Sequence, residues 1–193
     1  MKEIFEQGHF DAYSNVRLDE ARGAIPIAHS QFGYQKTTVF ISHKHDDLES
    51  LKGLLGYLER YFNVKVYIDS NDPSMPKVTS AKTAENIKAR IKQCDKFILL
   101  ATNGAVESKW CNWELGYGDA HKFSSHIALF PLKPKATSDY VYKGSEYMRL
   151  YPYIIYCDGT ERYDDGSPVK KGYYVYDKNS DSATPLDQWF AHR

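Results

Sequence analysis

The sequence has little cysteine, no long apolar run and no surplus of charge, and each shortage excludes a class of protein. Its 193 residues include three cysteines, Cys94, Cys111 and Cys157, an odd number at wide spacing. Such a set is not a disulfide framework, and without a CxxC pair it does not read as a zinc site. All three are expected to be reduced and structural, as buried free cysteines commonly are. The longest apolar run is FILLA at 97–101, far short of the roughly 20 residues that cross a bilayer. The N-terminus, MKEIFEQGHFDAY, scatters charges among single aromatics and lacks the apolar core of a signal peptide. The expected location is therefore cytoplasmic, with no membrane partner. Basic and acidic side chains number 25 each, so no electrostatic footprint marks a nucleic-acid partner. The histidines fall at no HxxxH or similar spacing, and no metal site is expected.

What is present is the pattern of an α/β fold. Residues 1–36 are irregular, broken by Gly8, Gly23, Pro26 and Gly33, and read as an N-terminal arm that packs on the domain or is partly mobile. From Thr37 the pattern is regular. TTVFIS (37–42), VKVYID (64–69), KFILLAT (96–102) and IALFPL (127–132) read as strands buried on both faces. Between them, Leu48, Leu51, Leu55, Leu58 and Phe62 recur at helical spacing, as do Ala84, Ile87, Ile91 and Cys94. Asp46 and Glu49 stand at capping-box spacing ahead of the first helix, and Ser108 stands where it can cap a third, which carries Trp110, Trp113 and Tyr117. Strand–helix alternation with short connections predicts a central parallel sheet covered by helices over a core at 37–133. Beyond Pro134, YPYIIYC (151–157) and KGYYVYD (171–177) are β-prone and flank the turn signals Asp158-Gly159 and Asp165-Gly166. Residues 134–193 therefore read as a β-rich C-terminal extension, a hairpin or small sheet packed on the core.

In an open parallel sheet, ligands bind beyond the carboxyl ends of the strands, where strand order reverses. That rule selects Ser42, His43, Lys44 and His45 after the first strand, Asp69 after the second, and the segment after the third that enters the helix of Glu114. Glu114 lies four positions after Trp110, so both project from one side of the helix. A carboxylate beside an indole, half withdrawn from water, has a raised pKa and is placed to stabilise a nearby cation. The plain alternatives are a surface glutamate, a solvated basic loop at 43–45 and a turn aspartate at 69. A phospho-receiver reading fails, because Thr102-Asn103-Gly104 stands where its phosphoacceptor aspartate is needed.

Three segments together resemble the TIR (Toll/interleukin-1 receptor) domain. FISHKHDD (40–47) is similar to its first box, VYIDSNDP (66–73) to its second strand and the start of its BB loop, and SKWCNWELGYG (108–118) to its Trp–Glu helix. The order and separations also fit, over about residues 37–133. The resemblance implies a flavodoxin-like three-layer fold with the C-terminal β-hairpin extension. It also implies an NAD⁺ nucleosidase that breaks the nicotinamide–ribose bond, its activity dependent on activation or assembly. NAD⁺ is then substrate, and no cofactor is implied. Carried over position by position, Glu114 is the catalytic carboxylate, His43, Lys44 and His45 contact the dinucleotide, and Asp69 is the acid that begins the BB loop; Ser42 at the strand end, Asp69, and Trp110 as a pocket wall are expected to join them in binding substrate. The BB loop departs from the family: residues 70–79 read SNDPSMPKVT, with two prolines where a glycine is common. The product stays open between ADP-ribose, a cyclic ADP-ribose isomer and an ADP-ribosyl conjugate. The chain resembles short stand-alone bacterial TIR proteins, including Thoeris-type antiphage ones that make a signal nucleotide for a separate effector; NAD⁺ depletion and a virulence role are the alternatives. Self-association through TIR–TIR contacts is implied, and the competing function is a non-catalytic interaction module.

Overall fold

Four neighbouring strands buried along almost their whole length set the architecture. The computed structural model describes residues 2, 4–14, 36–69, 80–137 and 146–192, so the BB-loop departure at 70–79 lies outside the described residues. The strands are β1 (Phe5–Glu6), β2 (Thr37–Ser42), β3 (Val64–Tyr67), β4 (Lys96–Ala101), β5 (Ile127–Lys133), β6 (Tyr153–Cys157), β7 (Gly172–Asp177) and β8 (Ser182–Pro185). The helices are α1 (Leu48–Phe62), α2 (Ala81–Gln93), α3 (Asn103–Glu107), α4 (Lys109–His121) and α5 (Leu186–Ala191). Sheet order is β3-β2-β4-β5-β6-β7-β8. The pairings from β3 to β6 are parallel, and those of β7 with its two neighbours are antiparallel.

The two faces of the sheet hold separate cores. Val39, Ile41, Ile98, Leu100, Ala128 and Phe130 face one way and pack with Leu51, Leu54, Leu55 and Leu58 of α1 and Trp189 and Phe190 of α5. Phe40, Phe97, Leu99, Ile127 and Leu129 face the other way and pack with Ile87 and Ile91 of α2 and Cys111 and Leu115 of α4. This is the period-two alternation of strands covered on both sides. The expected α/β fold with a mostly parallel sheet is what forms. The β-rich extension continues that same sheet, β6 lying parallel to β5 before the chain turns back through β7 and β8.

The described part of the N-terminal arm is seated in the fold. Phe5 and Glu6 pair with Leu132 and Lys133 of β5, while Lys2 bridges Tyr156 of β6. Phe5 and Phe10 are buried in the α1-side core. Gly53 permits this approach, since a Cβ there would stand 2.3 Å from the Phe10 carbonyl oxygen.

The helix start at 46–49 differs from expectation. His45–Asp47 form a 3-10 turn, α1 begins at Leu48, and its N-cap Asp47 makes no side-chain cap bond. Glu49 pairs instead with Lys52. The Asp47 carboxylate is drawn inward, where Thr102 and Gln7 donate to it. Two donors in a buried site outcompete a single cap bond.

Candidate active site

Strand order reverses at β2: the chain passes from it to β3 on one side and then crosses back to β4 on the other. The carboxyl ends of β2 and β4 therefore open a crevice at a topological switch point. Ser42 ends β2 and Thr102 follows β4. The Thr102 hydroxyl accepts from the Ala105 N–H at 3.0 Å to cap α3, and it donates to Asp47 Oδ2 at 2.5 Å. Ser108 caps α4 by accepting from the Cys111 N–H at 3.3 Å, so the helix bearing Trp110 and Glu114 starts at a fixed place.

Glu114 is 2% exposed. Ser42 Oγ donates to its Oε2 at 2.5 Å, and among the described residues its Oε1 has no hydrogen-bond partner. The carboxyl pKa is pushed up to about 8, first by burial and then by the nearby Asp69 carboxylate; the Ser42 hydroxyl and the Trp110 indole pull it down. The indole lies close enough to favour the charged form yet falls outside hydrogen-bond geometry, as the unpartnered Oε1 shows.

In front of this carboxyl lies a cavity of about 460 Å³, lined by His43, Lys44, His45, Asp69, Thr83, Ser108, Trp110 and Cys111. That volume is within the usual range for small-molecule sites. The structure thus brings five residues selected from the sequence, His43, Lys44, His45, Asp69 and Trp110, onto one wall system. Ser42 and Glu114 lie one layer behind it. His43 is buried, with Nδ1 3.4 Å from the Ile41 carbonyl and 3.7 Å from Asp69 Oδ1. Burial lowers its pKa against the opposing pull of Asp69 and the carbonyl, which favours the neutral ring. Lys44 reaches Asp46 Oδ2 at 3.0 Å, and His45 is exposed.

Sequence reasoning passed over Thr83, Ser108 and Cys111 as cavity residues. Cys111 was within reach, standing three positions before Glu114 on the same helix side. Burial pushes its thiol up to about 11, so it is a wall and not a nucleophile at neutral pH. Also passed over was the chain of contacts holding the 43–46 turn from behind. Gln7 Nε2 donates to Asp47 Oδ1 at 3.2 Å, beside the Thr102 bond. Among the described residues no cluster of His, Cys, Asp or Glu could hold a metal ion, and no helix is long and apolar enough to cross a membrane.

Comparison with known proteins adds independent findings. The family model described as "TIR domain" matches residues 39–166. A Bacillus cereus (strain MSX-D12) protein named "Probable 3' cyclic ADP-D-ribose synthase ThsB'" is 32% identical over 137 residues, which is 69% of each chain. The crystal structure of a prokaryotic SEFIR domain aligns at 18% identity and a TM-score of 0.39, over 49% of this chain and 67% of that one. That last likeness is too slight to build on. The first two, spanning well over half of the sequence, establish that the chain belongs to the TIR domain family.

Proposed function

We propose that this protein cleaves NAD⁺ at the nicotinamide–ribose bond and passes the ribosyl group to an acceptor within the same dinucleotide, forming a cyclic ADP-ribose. The observation that carries the reading is Glu114: a nearly inaccessible carboxyl with one unpartnered oxygen, directly behind a cavity at the switch point of the sheet. The name of the Bacillus relative favours cyclisation over hydrolysis or transfer to another molecule.

Nicotinamide leaves as a neutral molecule, taking the electron pair of the C1′–N bond and leaving an oxocarbenium-like ribose, as in glycoside cleavage. The protein must position the dinucleotide and stabilise that cation. Glu114 Oε1 faces the ribose. Trp110 walls the nicotinamide end, Asp69 adds negative potential, and Ser42 orients the carboxyl. His43, Lys44 and His45 hold the rest of the dinucleotide. An acceptor hydroxyl then bonds to C1′, and its proton passes to Glu114. In a Thoeris-type setting the cyclic product is a signal for a separate effector. TIR–TIR association is the means by which activity is switched on.

The test is direct. Purified protein, assayed dilute and at assembling concentrations, releases nicotinamide from NAD⁺, and the second product is one water lighter than ADP-ribose by mass spectrometry. Glu114→Gln reduces release by at least about 100-fold, the scale of losing a preorganised electrostatic group. Unaltered turnover in that variant removes Glu114 from the reaction. No nicotinamide release in any assembly state restores the interaction-module reading.

A further inference from the structure

Among the described residues the charges around Glu114 are one-sided. From β2 the neighbours are the Ser42 hydroxyl and His43, an imidazole held against Asp69 and the Ile41 carbonyl. From the turn after β2 come Lys44, already paired with Asp46, and the exposed His45. The end of β3 contributes Asp69, a second carboxylate on the same cavity. Helix α2 contributes only Thr83 to this wall; its Lys88 and Lys92 lie over the rings of Trp113 and Tyr117, farther along α4. Helix α3 contributes Glu107, which acts on Lys44, and α4 contributes Cys111, a thiol that burial keeps protonated. Among the described residues no cationic side chain makes a hydrogen bond or ion pair with Glu114, and one of its oxygens has no hydrogen-bond partner.

A carboxylate placed there would be a buried, uncompensated charge, which proteins avoid by keeping the proton. The 2.5 Å contact with Ser42 suits either state, because a hydroxyl donates to a carboxylate and accepts from a carboxylic acid. What would ionise Glu114 is a positive charge brought into the cavity. The oxidised nicotinamide ring carries one, and the reduced ring does not.

We infer that the empty site holds Glu114 protonated, and that a pyridinium-bearing dinucleotide binds by displacing one proton, so that the crevice selects the cationic nicotinamide ring over its neutral, reduced form. This rests on the reading that the cavity takes a nicotinamide dinucleotide. It gives the reaction a closed proton cycle. Binding releases a proton to solvent and leaves a carboxylate beside the cation. Bond cleavage moves the positive charge to the ribose and frees neutral nicotinamide. The acceptor hydroxyl gives its proton to Glu114 as the new bond forms at C1′. The site is then neutral again and has lost its attraction for the product.

The elevation of the carboxyl to about 8 places the effect in an accessible window. The probes are carba-NAD⁺, in which a methylene replaces the ring oxygen of the nicotinamide ribose, and NADH. Affinity is measured by calorimetry between about pH 6 and pH 8, in buffers of different ionisation enthalpy that count protons. The expected result is that carba-NAD⁺ binds about tenfold more weakly for each pH unit lost, with close to one proton released per site at the acid end. NADH binds with no such trend. The trend persists in His45→Gln, which removes the exposed imidazole of the wall, and vanishes in Glu114→Gln.

Binding of both dinucleotides with no pH trend and no proton release overturns the inference while leaving the cavity reading intact. A trend that survives Glu114→Gln overturns it too, since another group would then be titrating. If neither dinucleotide binds at any pH, the inference and the NAD⁺ reading fall together.

Discussion

A side chain's partners, more than its type, decide what it does around this cavity. Ser42 and Glu114 are 72 positions apart, yet they meet because one ends a strand and the other sits on the second turn of a helix beside it. Thr102 shows the same economy, since one hydroxyl both caps α3 and holds Asp47. Thr102→Val keeps the shape and removes both bonds. It strands the Ala105 N–H and an Asp47 oxygen in a buried site, each worth about 1–3 kcal/mol when left unpaired. A loss of about 2–4 kcal/mol in urea unfolding is expected, together with a weaker apparent affinity for NAD⁺ as the 43–46 turn loosens. Unchanged stability would show that Asp47 finds other donors. This contact was not legible beforehand. An aspartate after a strand and ahead of a leucine-patterned helix reads as a cap, and only the folded chain shows that Gln7 and Thr102 pull it inward. That Glu114 and Trp110 share one side of the helix was legible from their four-residue spacing, although spacing alone allowed a surface glutamate equally well.

Helix α1 was legible as an element, its leucines marking one face, but the element that crosses it was not. The arm makes a strand of only two residues, too short for any period, and its burial depends on Phe5 and Phe10 reaching the α1-side core. Gly53 is the point of contact. In an exposed helix interior, replacing glycine with alanine stabilises by about 1 kcal/mol through propensity alone. Here the added Cβ would collide with the Phe10 backbone at 2.3 Å. Gly53→Ala is therefore expected to lower Tm despite its better propensity. It should also speed hydrogen exchange at the Gln7 amide, which donates to the Lys133 carbonyl at 2.8 Å. Because Gln7 also reaches Asp47, lifting the arm would be felt at the crevice. A rise in Tm with Gln7 still protected would mean that the arm is not held by this approach.

Across the whole molecule the two ends of the sheet differ in what they bury. The parallel core was readable because doubly covered strands are apolar at nearly every position, whereas β8, mostly exposed, gave no such signal. Nor did the sequence reveal that Lys96, opening β4, is fully buried at the end opposite the crevice. Among the described residues its ammonium has no hydrogen-bond partner, and it lies 4.6 Å from the Trp189 ring of α5, whose indole N–H donates to the Ser125 carbonyl at 2.7 Å. Burial lowers the Lys96 pKa to about 8, with Asp95 opposing. An unfolded lysine titrates near about 10.4, so between those values the unfolded chain binds more protons than the folded one. The contribution of Lys96 to stability therefore improves as pH rises through that window, and below about 8 its penalty is complete. The buried thiols Cys94 and Cys111, raised to about 12 and about 11, drive total stability the other way, so Lys96 must be isolated by difference. Lys96→Met, whatever its offset at neutral pH from losing the cation–π contact, is expected to lose ground to the wild type from pH 8 to pH 10. The slope should approach about 1.4 kcal/mol per pH unit. Nicotinamide release per folded molecule should not change, because strand ends far from the switch point carry stability and not chemistry. A stability difference flat with pH would show that Lys96 is solvated in the folded chain. A loss of turnover at full folding would show that the two ends of the sheet are coupled.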